Sequence, residues 1–370
     1  MAKRLTQDDV TDRNLRVIAV AQAFKGTLSV GLVADALEQA IRAAGAEPVV
    51  LRASDGGDGL LDAMGSSLMR RTTHVVAGPL GAQVETPAGW LDSTTAVVES
   101  RLVCGLSLLE TSARDPLKTT TRGVGQLVSA LADAGATTVL VGLGGSATVD
   151  GGVGMARAWG FVPVDAAGTT LPDGGGALAK LAAFIKGSPP KAALVGLADV
   201  RNPLVGARGA RVYAPQKGAG PEAVERLALG LDRLAGVAAT EGRGDLAEAA
   251  GSGAAGGLGF GIRYFAGGTL VDGAAWFLER VRLSERLRGA ALVVTGEGAF
   301  DATSLEGKLT GQVLAAAGRA GVPAALLAPH AAGVPGRVAV ESGGGEWDAA
   351  ELARRARILV EHALRAPRSR

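Results

Sequence analysis

Acidic side chains recur in this chain just beyond short apolar runs. Asp55 follows the run 48–51, Asp150 lies beyond 138–141, Asp199 follows 192–197, and Glu297 and Asp301 follow 291–294. In open α/β proteins ligands bind where parallel strands end, and carboxylates placed there can hold a divalent cation or accept a proton from a substrate hydroxyl. The plainer alternative for any one of them is a helix cap or an Asx turn, since Asp beside glycine favours both. Five acids at the same kind of position weigh against that reading for the whole set. Lysine adds a second clue. Only eight of the 38 basic residues are lysine, yet Lys25, Lys217 and Lys308 each adjoin glycine in an apparent loop. A compact ammonium beside exposed backbone N–H groups suits phosphate, the alternative being a solvated surface lysine.

Two named phosphate motifs can be tested against these loops. Gly307-Lys308 is not a P-loop, because Ala302 stands five residues before Gly307 and Leu309 replaces the hydroxyl residue that holds magnesium. Gly142-Leu143-Gly144-Gly145-Ser146-Ala147 matches the dinucleotide fingerprint more closely, with Asp165 about twenty residues further on. It reads as a site for NAD if a helix opens directly behind it. Gly151, Gly152 and Gly154 stand where that helix should begin.

Composition bounds the possibilities. At 370 residues the chain is long enough for two domains. A formal charge of +2 and 4% aromatic residues supply neither the field nor the stacking platforms of a nucleic-acid binder. The single Cys104 excludes a disulfide framework, and with only His74, His330 and His362 a Cys/His zinc site is nearly excluded as well. Cys104 itself reads as a small core residue. No apolar run reaches the ~18 residues that a membrane span needs. The apolar stretch 15–23 imitates a short signal core, but Asp8, Asp9 and Asp12 stand where a signal peptide is positive, so a cytoplasmic protein is expected. The expected partner is a small-molecule substrate, with no nucleic acid and no membrane.

The elements that position these residues follow from periodicity. Strands are predicted over 16–21 and 48–51 and helices over 29–43 and 60–69, which is the βαβ rhythm of a parallel sheet. Short extended pieces over 73–77, 83–87, 88–91 and 96–99, joined by Gly and Pro turns, read as antiparallel. Further on, helices are predicted over 123–134, 222–235 and 310–320, strands over 138–141, 192–197, 291–294 and 324–327, and a glycine cluster at 251–261. The predicted fold is α/β: a Rossmann-like parallel-sheet domain made of 14–72 and 288–370, a second α/β domain inserted over 73–287, and the active site in the cleft between them.

Read in order, Phe24-Lys25-Gly26-Thr27-Leu28, Asp55-Gly56-Gly57-Asp58-Gly59, Gly78-Pro79-Leu80-Gly81, Thr119 to Gly125, Gly142 to Gly152, Asp199-Val200-Arg201-Asn202-Pro203-Leu204, Pro215-Gln216-Lys217-Gly218-Ala219, Gly253 to Gly259 and Thr295-Gly296-Glu297-Gly298 resemble the bacterial glycerate kinase family. The resemblance spans about residues 16–330, and the ordered set is far more specific than any one motif. It implies ATP-dependent phosphorylation of D-glycerate, at the 2-hydroxyl to give 2-phosphoglycerate, with Mg²⁺. Phosphoryl transfer needs charge neutralisation, alignment and a carboxylate near the attacking hydroxyl. On that basis Lys25, Lys217 and Lys308 are assigned to phosphate or to the glycerate carboxylate, and Gly144, Gly145, Ser146 and Thr148 to cradling an anion. Asp150, Asp199, Glu297 and Asp301 are candidates for general base. Asp55, Asp199 and Glu297 are the candidate magnesium ligands, and Asp55, Arg201 and Asn202 are candidates for binding the substrate.

The chain also departs from the family pattern. Ala21-Gln22-Ala23 replaces the usual Pro-Asp-Ser, Val149 replaces Asn, Thr303 and Glu306 replace Gln and His, and Thr310 stands where Pro is usual. Three alternatives therefore accompany the kinase reading: a kinase for another small hydroxy acid, a kinase-like binding protein with weakened catalysis, and an NAD(P)-dependent oxidoreductase using the Gly142 loop.

Overall fold

The leading strand, β1 (Arg16–Ala21), has no exposed residue, as expected of a strand covered on both faces. After it comes α1 (Val30–Ala43), started by Ser29, whose hydroxyl accepts the Leu32 N–H. Its buried Val33, Ala36, Leu37, Ala40 and Ile41 recur at helical spacing and form one face. β2 (Glu47–Arg52) then pairs parallel to β1 along its whole length. The computed structural model describes residues 15–24 and 26–365, so Lys25, Asp8, Asp9 and Asp12 lie outside the described residues. Contacts divide the chain into two compact units, one of residues up to Ala53 and from Leu278 onward, the other Ser54–Phe277.

The second unit begins with α2 (Leu60–Met64) and the strands β3 (Arg70–Ala77), β4 (Gln83–Trp90) and β5 (Thr95–Glu99). Next come α3 (Arg101–Cys104), α4 (Arg122–Asp133), β6 (Thr138–Leu143), α5 (Val153–Arg157), the small hairpin β7 (Val162–Val164) and β8 (Ala183–Ile185), and β9 (Ala193–Ala198). The long α6 (Pro221–Thr240), α7 (Asp245–Glu248), α8 (Ala254–Ala266) and β10 (Thr269–Asp272) complete it. One six-stranded sheet has the order β10-β9-β6-β5-β4-β3. It is parallel from β10 to β5 and antiparallel from β5 to β3. Trp90, Leu127, Leu143 and Phe260 lie in its core.

The chain returns to the first unit through α9 (Gly273–Arg280) and α10 (Leu283–Arg286), then adds β11 (Leu292–Gly296), β12 (Ala299–Phe300), α11 (Leu309–Ala320), β13 (Ala324–Leu327), β14 (His330–Ala331), β15 (Val338–Glu341) and α12 (Ala349–Arg365). Its sheet is all parallel, in the order β15-β13-β11-β1-β2. α1 and α12 pack on it, with Leu37, Ile41, Leu352, Leu359 and Val360 in one apolar cluster with Leu292 and Leu327. No helix among the described residues is long and apolar enough to cross a membrane.

Three expectations change, and the glycine cluster acquires a structure. The units divide at 53/54 and 277/278 rather than at 72/73 and 287/288. At the first boundary the cause is Glu99: its buried carboxylate accepts the N–H groups of Gly59 and Leu61, tying the start of α2 to the end of β5. The helix expected over 60–69 stops at Met64, because Gly65 leaves helical geometry and only a short 3-10 turn follows. The two pieces 83–87 and 88–91 are one strand, since β5 pairs only with Gly89 and Trp90 and Pro87 therefore interrupts no second ladder. The glycine cluster at 251–261 mostly enters α8, which carries a left-handed kink over Ala255, Gly256 and Gly257. Gly256 is at φ +68, and a Cβ there would stand 1.8 Å from the Thr148 carbonyl oxygen.

Candidate active site

In the second unit the loops after β5, β6 and β9 emerge at one edge of the sheet, together with the loop 54–59. That loop is shaped from within: the Asp55 carboxylate accepts the Gly57 N–H at 2.9 Å, and the Ser54 hydroxyl accepts the Gly56 N–H at 3.2 Å. It packs backbone to backbone on the end of β6, where a Cβ on Gly144 would lie 2.8 Å from Gly57 Cα. Only glycine allows that approach, so Gly144→Ala is expected to cost about 1–3 kcal/mol through displacement of the loop. Thermal unfolding checks it, and an unchanged Tm would mean that the loop does not rest on Gly144. Beside it, Arg101 donates to the buried Glu99 at 2.8 Å and lies 3.7 Å from Asp58. Asp199 is half-buried at the end of β9.

Beneath this edge is a buried polar knot. Asp150, 1% exposed, accepts hydrogen bonds from the Thr121 N–H at 2.8 Å, the Thr121 hydroxyl at 2.9 Å, and the N–H groups of Gly152 and Gly154 at 3.1 Å each. Burial pushes its carboxyl upward, and those donors oppose the push. Lys217, 4% exposed, donates to the Ser146 hydroxyl at 2.9 Å and to the Thr148 carbonyl at 2.8 Å. Burial lowers its ammonium to about 8, while Cys104 and Asp150 pull the other way. The Cys104 thiol, fully buried, is raised to about 12 by desolvation first and Asp150 second. Such a thiol is inert, as expected of a core residue.

In the first unit, the ends of β1, β11 and β13 form the corresponding edge. After β1, Phe24 and Leu28 exchange backbone hydrogen bonds and close a tight turn. Gln22, 9% exposed, donates through its amide to the Gly296 carbonyl at 2.9 Å and to the Thr310 hydroxyl at 2.6 Å. Two of the departures from the family pattern thus touch one another. Half-buried Glu297 follows β11. Asp301 caps the short 3-10 helix 302–305, accepting from the Thr303 N–H and hydroxyl, and its carboxyl is lowered first by that hydroxyl. Lys308 donates to the same Thr303 hydroxyl at 2.7 Å and is the N-cap residue of α11, preceded by Gly307 at φ +112. A cavity of about 940 Å³ in this unit is walled by Leu292, Leu314, Val322 and Leu364 at the other end of the strands. Among the described residues Arg337 is the one charged side chain that lines it, so it lacks the carboxylates that phosphoryl transfer to a hydroxyl needs.

The structure sorts the residues singled out by sequence. Asp199, Gly144, Gly145 and exposed Arg201 stand at the sheet edge of the second unit, with Asp55 buried beside them, and Glu297, Asp301 and Lys308 stand at that of the first. Asp150 and Lys217 are interior, and of the proposed anion cradle Ser146 and Thr148 are buried as well. Asn202 is committed within its own loop, its amide donating to the Arg208 carbonyl at 2.6 Å and its carbonyl accepting from the Tyr213 hydroxyl at 3.0 Å. No group of three or more His, Cys, Asp or Glu able to hold a metal occurs among the described residues. Sequence reasoning overlooked Glu99, Arg101 and the Gln22–Thr310 contact. For Glu99 a signal existed, an acid at the end of a predicted strand. The dinucleotide reading fails on geometry. β6 runs through Gly142 and Leu143, the next helix starts only at Val153, and Asp165 is used in a turn, accepting the N–H groups of Ala167 and Thr169. No helix N-terminus opens behind the glycines to meet a pyrophosphate.

Parallel sheets whose strand ends carry glycine loops, acids and a lysine at a helix start define an α/β phosphotransferase class of site. The profile of the glycerate kinase family matches residues 17–342. Glycerate 2-kinase of Escherichia coli (strain K12) is 37% identical over 304 residues, 80% of this chain and 80% of its own length. Glycerate kinase of Bacillus subtilis (strain 168) is 37% identical over 306 residues, 80% of this chain and 79% of its own. The crystal structure of a candidate glycerate kinase 2 from Salmonella typhimurium LT2 superposes with a TM-score of 0.78 at 34% identity, covering 95% of this chain and 97% of that one. The chain belongs to the glycerate kinase family.

Proposed function

We propose that this protein transfers the γ-phosphoryl group of ATP to the 2-hydroxyl of D-glycerate. The hydroxyl oxygen attacks the γ-phosphorus, the bond to the β–γ bridging oxygen breaks, ADP leaves, and the hydroxyl proton passes to a carboxylate and on to water. Membership of the family carries this reading, and the E. coli relative named glycerate 2-kinase supports the position. The geometry supports the division of labour. Lys308, at the start of a twelve-residue helix beside Gly307, suits the phosphates, where a cation and free N–H groups act together. Lys25, which lies outside the described residues, keeps the phosphate or carboxylate role its motif implies. Gly144 and Gly145 present backbone at the surface of the other edge, and Arg201 is the exposed candidate for the substrate carboxylate.

Asp55, Asp199 and Glu297 remain the candidates for magnesium ligand and proton acceptor. Their hard oxygens fit Mg²⁺, which is held by one or two carboxylates plus substrate phosphates and needs no cage of protein ligands. Bound with the nucleotide, the ion would neutralise charge on the transferring group. Asp150, Lys217, Ser146 and Thr148 we assign to holding the glycine loop in shape, and Asp301 to capping. The test is ADP release with D-glycerate and ATP–Mg, with phosphorus NMR of the product. 2-Phosphoglycerate is expected. Release with a different hydroxy acid alone would change the substrate, and ATP–Mg binding without release on any hydroxy acid would favour a binding protein.

A further inference from the structure

The Gln22 side chain spans three segments that bear candidate catalytic groups. It leaves the chain just after β1, in the segment whose motif includes Lys25, and its one nitrogen reaches the last residue of β11, directly before Glu297, and the second residue of α11, two after Lys308. Both partners are buried: Gly296 is packed against the Leu327 carbonyl and the Phe24 ring, and Thr310 is fully enclosed. The Gly296 carbonyl can only accept a hydrogen bond, so position 22 must supply a donor. An amide does this at every pH, whereas an ionised carboxylate cannot.

We infer that Gln22 is a positioning residue, an amide clamp that fixes Glu297 and Lys308 relative to the first loop, and that the first loop supplies no proton acceptor from this position. The inference rests on the kinase reading for its turnover tests but not for its binding test. Losing the clamp leaves a buried carbonyl without its donor and lets the two segments drift, and a misplacement of about 1 Å can cost up to about 10²-fold in rate.

Four variants test it: Gln22→Glu, Gln22→Met, Thr310→Val and Thr310→Ser. Each is measured for kcat and KM with D-glycerate, for ATP–Mg affinity by isothermal titration, and for Tm. Thr310→Ser keeps the hydroxyl and should match the native protein. Thr310→Val and Gln22→Met should lower kcat at least about tenfold at every pH, through lost alignment. For Gln22→Glu the ratio of its kcat to the native value should be low at pH 8 and rise toward pH 6. A carboxyl facing a carbonyl is held protonated to higher pH, and only the protonated form donates. A role in stability alone would lower Tm and leave kcat well below Tm and the pH ratio unmoved, which overturns the inference. So would native kcat and ATP–Mg affinity in both Gln22→Met and Thr310→Val, or a faster Gln22→Glu enzyme at pH 8. If the native protein binds ATP–Mg but turns over no D-glycerate, the proposed substrate fails on its own, and weakened ATP–Mg binding in Thr310→Val and Gln22→Met still decides for the clamp.

Discussion

Asp150→Asn is expected to lower the melting temperature by several degrees while leaving kcat near native at 25 °C, and Asp150→Ala to be far more damaging. Three backbone N–H groups and one hydroxyl converge on this carboxylate, and all of them are buried. An Asn carbonyl placed where Oδ2 stands can accept three of the four, but its amide then meets the Gly152 N–H, donor against donor. A buried donor left without a partner costs about 1–3 kcal/mol, which for a domain of this size moves Tm by roughly 2–4 °C per kcal/mol. With Ala all four donors lose their acceptor, and the nearby buried Lys217 loses a compensating charge. Breaking a buried polar network in this way costs about 3–5 kcal/mol. Calorimetry of the two variants beside steady-state kinetics checks the expectation. A fall in kcat of about 10² or more at unchanged Tm would make Asp150 a catalytic base and refute its assignment to the loop's architecture.

Glu297→Gln should show the opposite pattern, kcat lower by about 10² with Tm nearly unchanged. Glu297 lies at the C-terminal end of β11, where its backbone N–H is already secured by the Leu327 carbonyl and its side chain is half-buried. Gln keeps the shape and removes the charge, which is the loss expected when a metal contact or a proton acceptor disappears. If Glu297 holds Mg²⁺, the variant should also need more Mg²⁺ for half-maximal rate. If it accepts the proton, the requirement should stay and the alkaline plateau of kcat should vanish instead. A variant with native kcat and a lowered Tm would place Glu297 among the structural acids with Asp150.

The contrast between these two acids marks what was legible in the sequence. Strand and helix order, the parallel character of both ends of the chain and the concentration of glycine loops after strands could all be read locally. Periodicity of 2 or 3.6 and the conformational needs of glycine are properties of a few adjacent residues. β13 and α1 fall within a residue of their expected bounds for that reason. Family membership was legible too, because an ordered series of short motifs is a property of the chain alone.

What only the tertiary structure decided is which of these similar-looking residues face solvent. Asp150 and Glu297 both stand beside glycine after an apolar strand, yet the first is fully enclosed by Thr121, 29 positions earlier, while the second is only half-buried where β11 ends. Lys217 and Lys308 likewise both adjoin glycine, and the first is drawn inside by Ser146, 71 positions away. The unit boundary moved by Glu99 is the same kind of fact, a hydrogen bond made 38 residues along the chain to Leu61. Burial and hydrogen-bond partners depend on which distant segments arrive at a residue. Local spacing determines where a polar group leaves a strand or helix, and the packing of the remaining chain determines whether that group meets a substrate or a backbone N–H.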